Sequence, residues 1–176
     1  MPGITLGIDP GTAILGYGVV RGDRDPEAVA YGVIRTENTL SPEKRLQRLY
    51  DAVSRLIAEH LPNAVAVEQL FFSKNVTTAL PVMQARGVVL LAAANADVPI
   101  SEYRPIEVKQ AIAGYGRADK AQMQEMVRIL LRLDAIPHPD DAADALAVAI
   151  CHVHSQQFLA ATAAHPALAH AAIRRR

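Results

Sequence analysis

The sequence predicts an α/β fold in which helices cover the faces of a mixed sheet. Three observations carry this prediction. The N-terminal part contains three short segments with the two-residue alternation of β-strands. Two further short apolar segments each lie between longer segments in which apolar residues recur at helical spacing. The C-terminal part contains helical patterns only. The order β-β-β-α-β-α-β-α-α-α indicates a fold class and leaves the function open.

Three strands are predicted in the N-terminal part. Residues Gly3–Asp9 alternate between the two faces of a strand, and Pro10-Gly11 turns the chain after them. Gly16–Arg21 and Val29–Thr36 are the next two predicted strands, and the polar segment Gly22–Pro26 joins them as a hairpin connection. We expect these three strands to form a meander.

Helices and strands alternate in the middle of the chain. Ser41-Pro42 starts a helix, with Ser as N-cap and Pro at the first helical position, and Pro62-Asn63 ends it. Short strands are predicted at Ala64–Glu68 and Pro99–Tyr103. Between them, Thr77–Asn95 forms a helix with few charges on any side, so it either threads the core or faces a second subunit.

Three helices are predicted in the C-terminal part. The first covers Pro105–Ala113 and is stopped by glycine. The second starts at the capping-box-like segment Asp119–Gln122 and reaches about Leu133. The third starts near Asp141 and continues through His152.

Length and composition indicate a cytoplasmic protein with one domain. The chain has 176 residues, and its single cysteine, Cys151, excludes an internal disulfide framework and fits a reducing cytosol. The N-terminus has no basic region typical of a signal peptide, and the apolar stretch Val88–Ala94 is too short to span a membrane. We expect the domain to cover residues 1–155. An Ala-rich, basic-ended and poorly ordered tail would then cover 156–176, either touching DNA or only solubilising the chain.

Four acidic residues are the candidate catalytic centre. Asp9 and Glu68 each end a predicted strand, while Asp141 and Asp144 lie three residues apart in the first turn of the last helix. If the two strands are neighbours and the helix packs on the first strand, the four carboxylates meet in one site. Carboxylates in close contact raise one another's pKa and need cations, and oxygen ligands without Cys or His suit Mg²⁺ or Mn²⁺.

Two such ions, about 3.5–4 Å apart, would activate a water and stabilise the leaving oxygen at a phosphodiester. Asp9 would bridge the ions, and Glu68 and Asp144 would complete their shells. Asp141 would be a further ligand or orient the water. Each acid also has a structural interpretation. Asp9 can begin the turn that follows it, Glu68 can be an ordinary strand-end charge, and Asp141 can cap a helix. Helix capping is the favoured role of the neighbouring Asp140.

The charge balance bears on nucleic-acid binding. Lys plus Arg and Asp plus Glu both number 18, whereas DNA-binding domains usually show a basic excess. If four acids hold metal, 18 basic side chains face 14 remaining acidic ones. The surface offered to a polyanion is then net positive.

A series of short motifs follows in order between Ile4 and His154. They are Leu6–Thr12, Gly16–Val19, Val67–Phe71, Phe72–Asn75, Gln84–Gly87, Val108–Gln110, Asp119-Lys120 and Asp141–Ala147. Together they resemble the RuvC family of Holliday-junction resolvases. The resemblance implies an RNase H-like fold with a five-stranded mixed sheet flanked by helices.

The resemblance also implies the activity and the partners. Family members are homodimers that nick four-way DNA junctions at symmetric positions during recombination and DNA repair, leaving 5′-phosphate and 3′-hydroxyl ends. It assigns Asp9, Glu68, Asp141 and Asp144 as catalytic metal ligands, two Mg²⁺ per site with Mn²⁺ as a substitute. Some members carry His at the position of Asp141. A branch-migration motor of the RuvA and RuvB type is the implied protein partner.

Further residues are candidates for DNA binding by the same resemblance. Phe71 falls where the family places an aromatic near the junction centre, and Lys109 and Lys120 fall near the scissile phosphate. Lys74, Arg86, Arg104 and Arg117 could extend the phosphate track. Core packing of Phe71 or Phe72 and solvated surface for each lysine are the competing interpretations.

Two other functions compete with the resolvase. Actin-like and sugar-kinase ATPases also open with a strand followed by Asp-x-Gly-Thr, but they need two such domains and a later Gly-rich adenosine motif, which this chain lacks. A non-catalytic junction-binding module is the second alternative, and the presence of all four acids argues against it.

Overall fold

The protein is described by a computed structural model that covers residues 2–69 and 76–164. Within these residues the predicted order of strands and helices is confirmed. The elements are β1 Ile4–Asp9, β2 Ile14–Arg21, β3 Glu27–Arg35, α1 Pro42–His60, β4 Ala64–Glu68, α2 Val76–Asn95, β5 Ile100–Tyr103, α3 Pro105–Ala113, α4 Lys120–Leu130 and α5 Asp140–Ala164.

The five strands form one mixed sheet in the order β3-β2-β1-β4-β5. β1, β2 and β3 pair antiparallel, so the predicted meander is confirmed. β4 runs parallel to β1, and β5 runs parallel to β4. This is the RNase H-like arrangement, and it makes β1 and β4 neighbours, as a shared site at their ends requires.

Helices cover both faces of the sheet. On one face, Leu6 and Ile8 of β1 share a buried cluster with Leu49 and Val53 of α1 and with Val89 of α2. On the other face, α5 lies across the sheet, and α3 and α4 pack beside it. The alternation of β1 therefore sends its large apolar side chains toward α1 and leaves its small and polar residues facing α5.

The last helix is longer than predicted. α5 continues through Ala164, so residues 156–164 are helical although they were predicted to belong to a poorly ordered tail. The extension is rich in alanine, which has the highest helix propensity, and the first proline that could stop it is Pro166. Residues 165–176 lie outside the described part of the chain.

α2 is buried on one side only within a single chain. Ala85, Val89 and Ala92 are buried against α1 and the sheet, whereas Leu80 and Leu91 on the opposite side are exposed. An added Cβ on Gly87 of that exposed side would meet no atom within 4 Å. The interpretation that α2 packs in the core is therefore confirmed for one face, and contact of the open face with a second subunit stays a prediction. Among the described residues, no helix is both long and apolar enough to cross a membrane.

Candidate active site

Parallel pairing of β1 and β4 brings the first two acids to one edge of the sheet. Ile8 pairs with Val67, so the next residues, Asp9 and Glu68, both leave the sheet at its carboxyl edge. The apolar residues before each acid are fully buried, which fixes where the strands end. The sequence-based expectation for these two positions rested on the strands being neighbours, and the sheet order meets that condition.

Glycines in β1 and β2 allow α5 to lie directly on the sheet. A Cβ on Gly7 would overlap the carbonyl oxygen of Ala145, and a Cβ on Gly16 would overlap that of Asp141. No other residue fits at these positions without displacing backbone atoms. The close approach brings the N-terminal turn of α5, with Asp141 and Asp144, toward Asp9.

Asp9 lies at the centre of the resulting concentration of negative charge. The pKa of its carboxyl is raised from 3.8 to about 7, first by burial and then by the carboxylates of Glu68, Asp144 and Asp141 in that order. Lys120 acts in the opposite direction. A carboxyl that responds to three other acids is therefore half-protonated near neutral pH when no cation is bound.

Glu68 and Asp144 are shifted in the same direction. Burial raises the pKa of Glu68, the carboxylate of Asp144 adds to this effect, and Lys109 reduces it. Burial also raises the pKa of Asp144, while Lys120 lowers it. The four predicted acids therefore belong to one electrostatic unit, with two lysines at its border.

Lys120 connects α4 to the N-terminus of α5. Its ammonium lies 3.1 Å from Asp140 Oδ2 and 3.4 Å from Asp144 Oδ2. Asp140 also accepts a hydrogen bond of 2.9 Å from Gln124 Nε2. Asp140 is the first residue of α5, where a carboxylate complements the helix dipole, but both of these side-chain partners belong to α4. Its role in this structure is to tie the two helices together beside Asp144.

A cavity of about 250 Å³ opens beside the acids. Glu68, Asp144, Lys109 and Lys120 line its charged side, and Val108 and Met123 are among the apolar residues that line the rest. The cavity is therefore lined by both carboxylate and ammonium groups. A phosphodiester that entered it would meet two ammonium groups and the carboxylates together.

The donor atoms fit a hard divalent cation. They are carboxylate oxygens, and Cys151, further along α5, is buried with its thiol pKa raised to about 12, so no thiolate competes. As the side chains are turned here, the described residues contain no group of three or more Asp, Glu, His or Cys side chains arranged to hold a metal ion. In this arrangement Asp144 contacts the ammonium of Lys120.

The other DNA-binding candidates fall into three groups. Lys109 is partly buried and lines the cavity, and Arg117 is exposed between α3 and α4. Arg86 of α2 forms an ion pair with Glu102 of β5, so a phosphate contact would compete with that pair. Phe71 and Lys74 lie outside the described residues, and their roles stay predictions.

Arg104 is also engaged within the chain. Its guanidinium lies 2.8 Å from Glu107 Oε1. This ion pair lies within one turn at the start of α3, so Arg104 supports the helix end rather than presenting an isolated cation.

Two features of the site were not predicted from the sequence. Gly7 and Gly16 were interpreted as parts of strands, although a glycine within a strand is itself a signal of close backbone approach. The ion pair of Asp140 with Lys120 and its hydrogen bond from Gln124 join α5 to α4. No pattern within either helix predicts these contacts.

Comparisons with known proteins agree with this geometry. The family model described as "Crossover junction endodeoxyribonuclease RuvC" matches residues 5–152. The protein of that name from Heliobacterium modesticaldum is 58% identical over 154 residues, covering 86% of this chain and 94% of the relative. The protein of the same name from a Roseiflexus species is 59% identical, with 86% and 90% covered.

Solved structures give the same result for the fold. "T. thermophilus RuvC in complex with Holliday junction substrate" superposes with a TM-score of 0.85 at 38% identity, covering 89% of this chain and 96% of that one. The yeast mitochondrial Holliday junction resolvase Ydc2 superposes with a TM-score of 0.66 at 14% identity, covering 90% and 82%. This second likeness concerns the fold alone.

Proposed function

Because the chain belongs to the RuvC family of crossover junction endodeoxyribonucleases, we propose that it resolves four-way (Holliday) DNA junctions in recombination and DNA repair. A relative from T. thermophilus has been solved with such a junction. The single observation that carries the proposal is the concentration of four carboxylates around Asp9, whose pKa is raised to about 7. Such a site fits the hydrolysis of a phosphodiester, in which negative charge must be neutralised.

The proposed cofactor is a pair of Mg²⁺ ions, with Mn²⁺ as a substitute. The ions would be held by the four acids once their side chains turn toward a common point. These acids are Asp9, Glu68, Asp141 and Asp144. Asp9 would be the central ligand, because its carboxyl interacts electrostatically with all three other acids. When bound, such cations favour ionisation of water and stabilise the charge that develops on the leaving oxygen.

The protein's own residues would bind and orient the scissile phosphate. Lys109 and Lys120 line the cavity and would neutralise the non-bridging oxygens. Asp141 would also orient the attacking water. Water attacks phosphorus, the bond to the 3′ oxygen breaks, and that oxygen takes up a proton. The products are a 5′-phosphate and a 3′-hydroxyl.

The DNA would extend beyond the cavity along further side chains. Arg117 is exposed in the segment between α3 and α4 and would contact a neighbouring phosphate. Arg86 would contact DNA only by exchanging its ion pair with Glu102. Phe71 would stack on bases near the junction centre, and Lys74 would contact the backbone beside it.

Two coordinated nicks need two active sites, so we propose a homodimer. The exposed face of α2, with Leu80, Gly87 and Leu91, is the proposed interface, since it is apolar and has a small residue at its centre. Leu91→Lys should give a monomer in sedimentation experiments, whereas the exposed Leu159→Lys on α5 should remain dimeric. A strictly monomeric wild-type chain at micromolar concentration would contradict the paired-nick model.

A branch-migration motor of the RuvA and RuvB type is the proposed protein partner, and the cytoplasm is the proposed compartment. Family membership supports the motor as partner, and the single free cysteine, which is buried, fits a reducing compartment. Co-migration of the chain with a motor assembled on a junction would support the first. Binding of the chain to bare junctions only would contradict it.

Junction cleavage with and without Mg²⁺ tests the proposed function. The wild-type chain should cut a synthetic four-way junction only with the metal. Asp9→Asn should lower the rate by about 1000-fold or more while it leaves junction binding largely unchanged. Loss of binding to the same extent would make Asp9 a structural residue. ATP turnover would favour an actin-like or kinase function, and binding without cleavage by the wild type would favour a non-catalytic module.

A further inference from the structure

An apolar surface is formed by the start of α3 and the turn that joins α3 to α4. Tyr115 is 48% exposed and Ile106 is 49% exposed. Gly116 lies against Ile106, since an added Cβ there would be 2.8 Å from Ile106 Cγ1. Ile106 lies three residues before Lys109, one of the lysines that line the cavity. The two exposed side chains therefore belong to one corner of the protein.

The Tyr115 ring is held in place although it is exposed. Its hydroxyl donates a hydrogen bond of 2.8 Å to Gln122 Oε1, and the same oxygen accepts one of 3.0 Å from the Asp119 amide. The Gln122 amide in turn donates to Asp119 Oδ1 at 2.9 Å, which completes the cap of α4. An aromatic ring fixed in this way loses little conformational entropy when a ligand covers it.

The charge around this corner fits a polyanion. Residues 106–120 contain three basic side chains, Lys109, Arg117 and Lys120, and two acidic ones, Asp119 and Glu107, of which Glu107 is paired with Arg104. Phosphate groups provide affinity at such a surface, and flat sugar or base faces provide contacts for exposed rings. A protein partner would be expected to bury a larger apolar patch than these two side chains provide.

We propose that Tyr115, supported by Ile106, is a packing platform for a sugar or base of the DNA strand that carries the scissile phosphate. The platform is connected to the acids through the cap of α4: Tyr115 contacts Gln122, Gln122 contacts Asp119, and the ammonium of the next residue, Lys120, is 3.4 Å from Asp144. Contact with DNA at Tyr115 thus fixes the strand at the position where Lys120 meets the phosphate. This inference rests on the proposed resolvase function.

Binding and single-turnover cleavage of a four-way junction test the platform. Tyr115→Ala should weaken junction binding by about tenfold, which is the effect of losing one stacked base contact. Tyr115→Phe should bind more tightly than Tyr115→Ala but less tightly than the wild type, since it keeps the ring and loses the hydrogen bond to Gln122 that holds it. Tyr31→Ala, which removes a similarly exposed tyrosine from β3, is the matched control and should bind normally. Equal affinity of Tyr115→Ala and the wild type would overturn the inference.

A spectroscopic measurement covers the case in which Tyr115→Ala folds poorly. The wild type should quench 2-aminopurine placed beside the cleavage point, and Tyr115→Leu, which keeps apolar bulk without a ring, should lose this quenching. Equal quenching by both would overturn the platform. A wild-type chain that does not cut junctions overturns the proposed function and this inference with it. A wild-type chain that cuts them while Tyr115→Ala does so equally well overturns the inference alone.

Discussion

The central and N-terminal stretches of α5 pack on the same side of the sheet but differ in what they contribute. The central stretch Ala145–Val153 is buried throughout, and its polar member His152 has a hydrogen-bond partner in Tyr103, 2.8 Å from Nδ1. The N-terminal stretch Asp140–Asp144 lies on the same side of the sheet but carries three acids beside Asp9 and Glu68. The first contributes stability, whereas the second holds like charges together at a cost in stability.

The comparison shows that the fold and the site depend on the same close contact. Gly7 lies under the central stretch at Ala145, and Gly16 lies under the N-terminal stretch at Asp141. Apolar burial along the central stretch therefore holds the acids near one another against their repulsion. Changes to the shared contact should affect both stability and cleavage. Changes confined to the central stretch should affect stability alone, and changes confined to the acids should affect cleavage alone.

The largest effect is expected for Gly7→Ala, which disturbs the shared contact. Its Cβ would overlap backbone atoms of α5 that cannot move without the helix. We expect a loss of more than about 4 kcal/mol in the free energy of unfolding, together with loss of cleavage. Urea unfolding measures the effect. Gly3→Ala, whose Cβ would meet only the side chains of Asp23 and Asn63, is the control and should be nearly neutral.

Leu146→Ala and Asp144→Asn should separate the effects on stability from the effects on cleavage. Leu146 is fully buried, so its truncation should lower the free energy of unfolding by about 2–5 kcal/mol. Cleavage by the folded protein should remain within a few-fold of the wild type. Asp144→Asn should do the reverse, with cleavage lost and stability kept or increased. Similar profiles for the two variants would show that stability and catalysis cannot be assigned to separate parts of α5.

A smaller effect is expected on the pH dependence of stability without metal. The pKa of Asp9 is 3.8 when unperturbed and about 7 in the fold. Between these values the folded state keeps a proton that the unfolded state has released, so stability falls as pH rises from 4 to 7. Since one pKa unit corresponds to about 1.4 kcal/mol and the site is partly solvated, the loss should be about 1–3 kcal/mol. Thermal melting of Asp9→Asn should lack most of this slope.

Local signals account for most of what the sequence predicted. The start of α1 at Pro42, the stop of α3 at Gly114 and the cap of α4 at Asp119 depend on neighbouring residues, and all three are confirmed. The predicted end of α5 was wrong. The alanine-rich segment after His152 contains no stop signal, so the helix continues to Ala164.

Local signals also predicted only a part of the candidate site. Asp9 and Glu68 could be placed at strand ends from their own segments. The approach of Asp141 to Asp9 depends on which backbone lies over Gly7 and Gly16, and this follows only from sheet order and helix packing. Contacts between helices, such as Lys120 with Asp140, have no signature within one segment.

Binding of Mg²⁺ to the DNA-free protein near pH 7 is the most direct test of the central claim that the acids form one metal site. Calorimetry in buffers of different ionisation enthalpy reports the protons released on binding. The wild type should bind Mg²⁺ and release part of a proton, since Asp9 is half-protonated there and must ionise as a ligand. Asp9→Asn should bind more weakly and release almost none. Equal affinity and equal proton release by the two proteins would contradict the account.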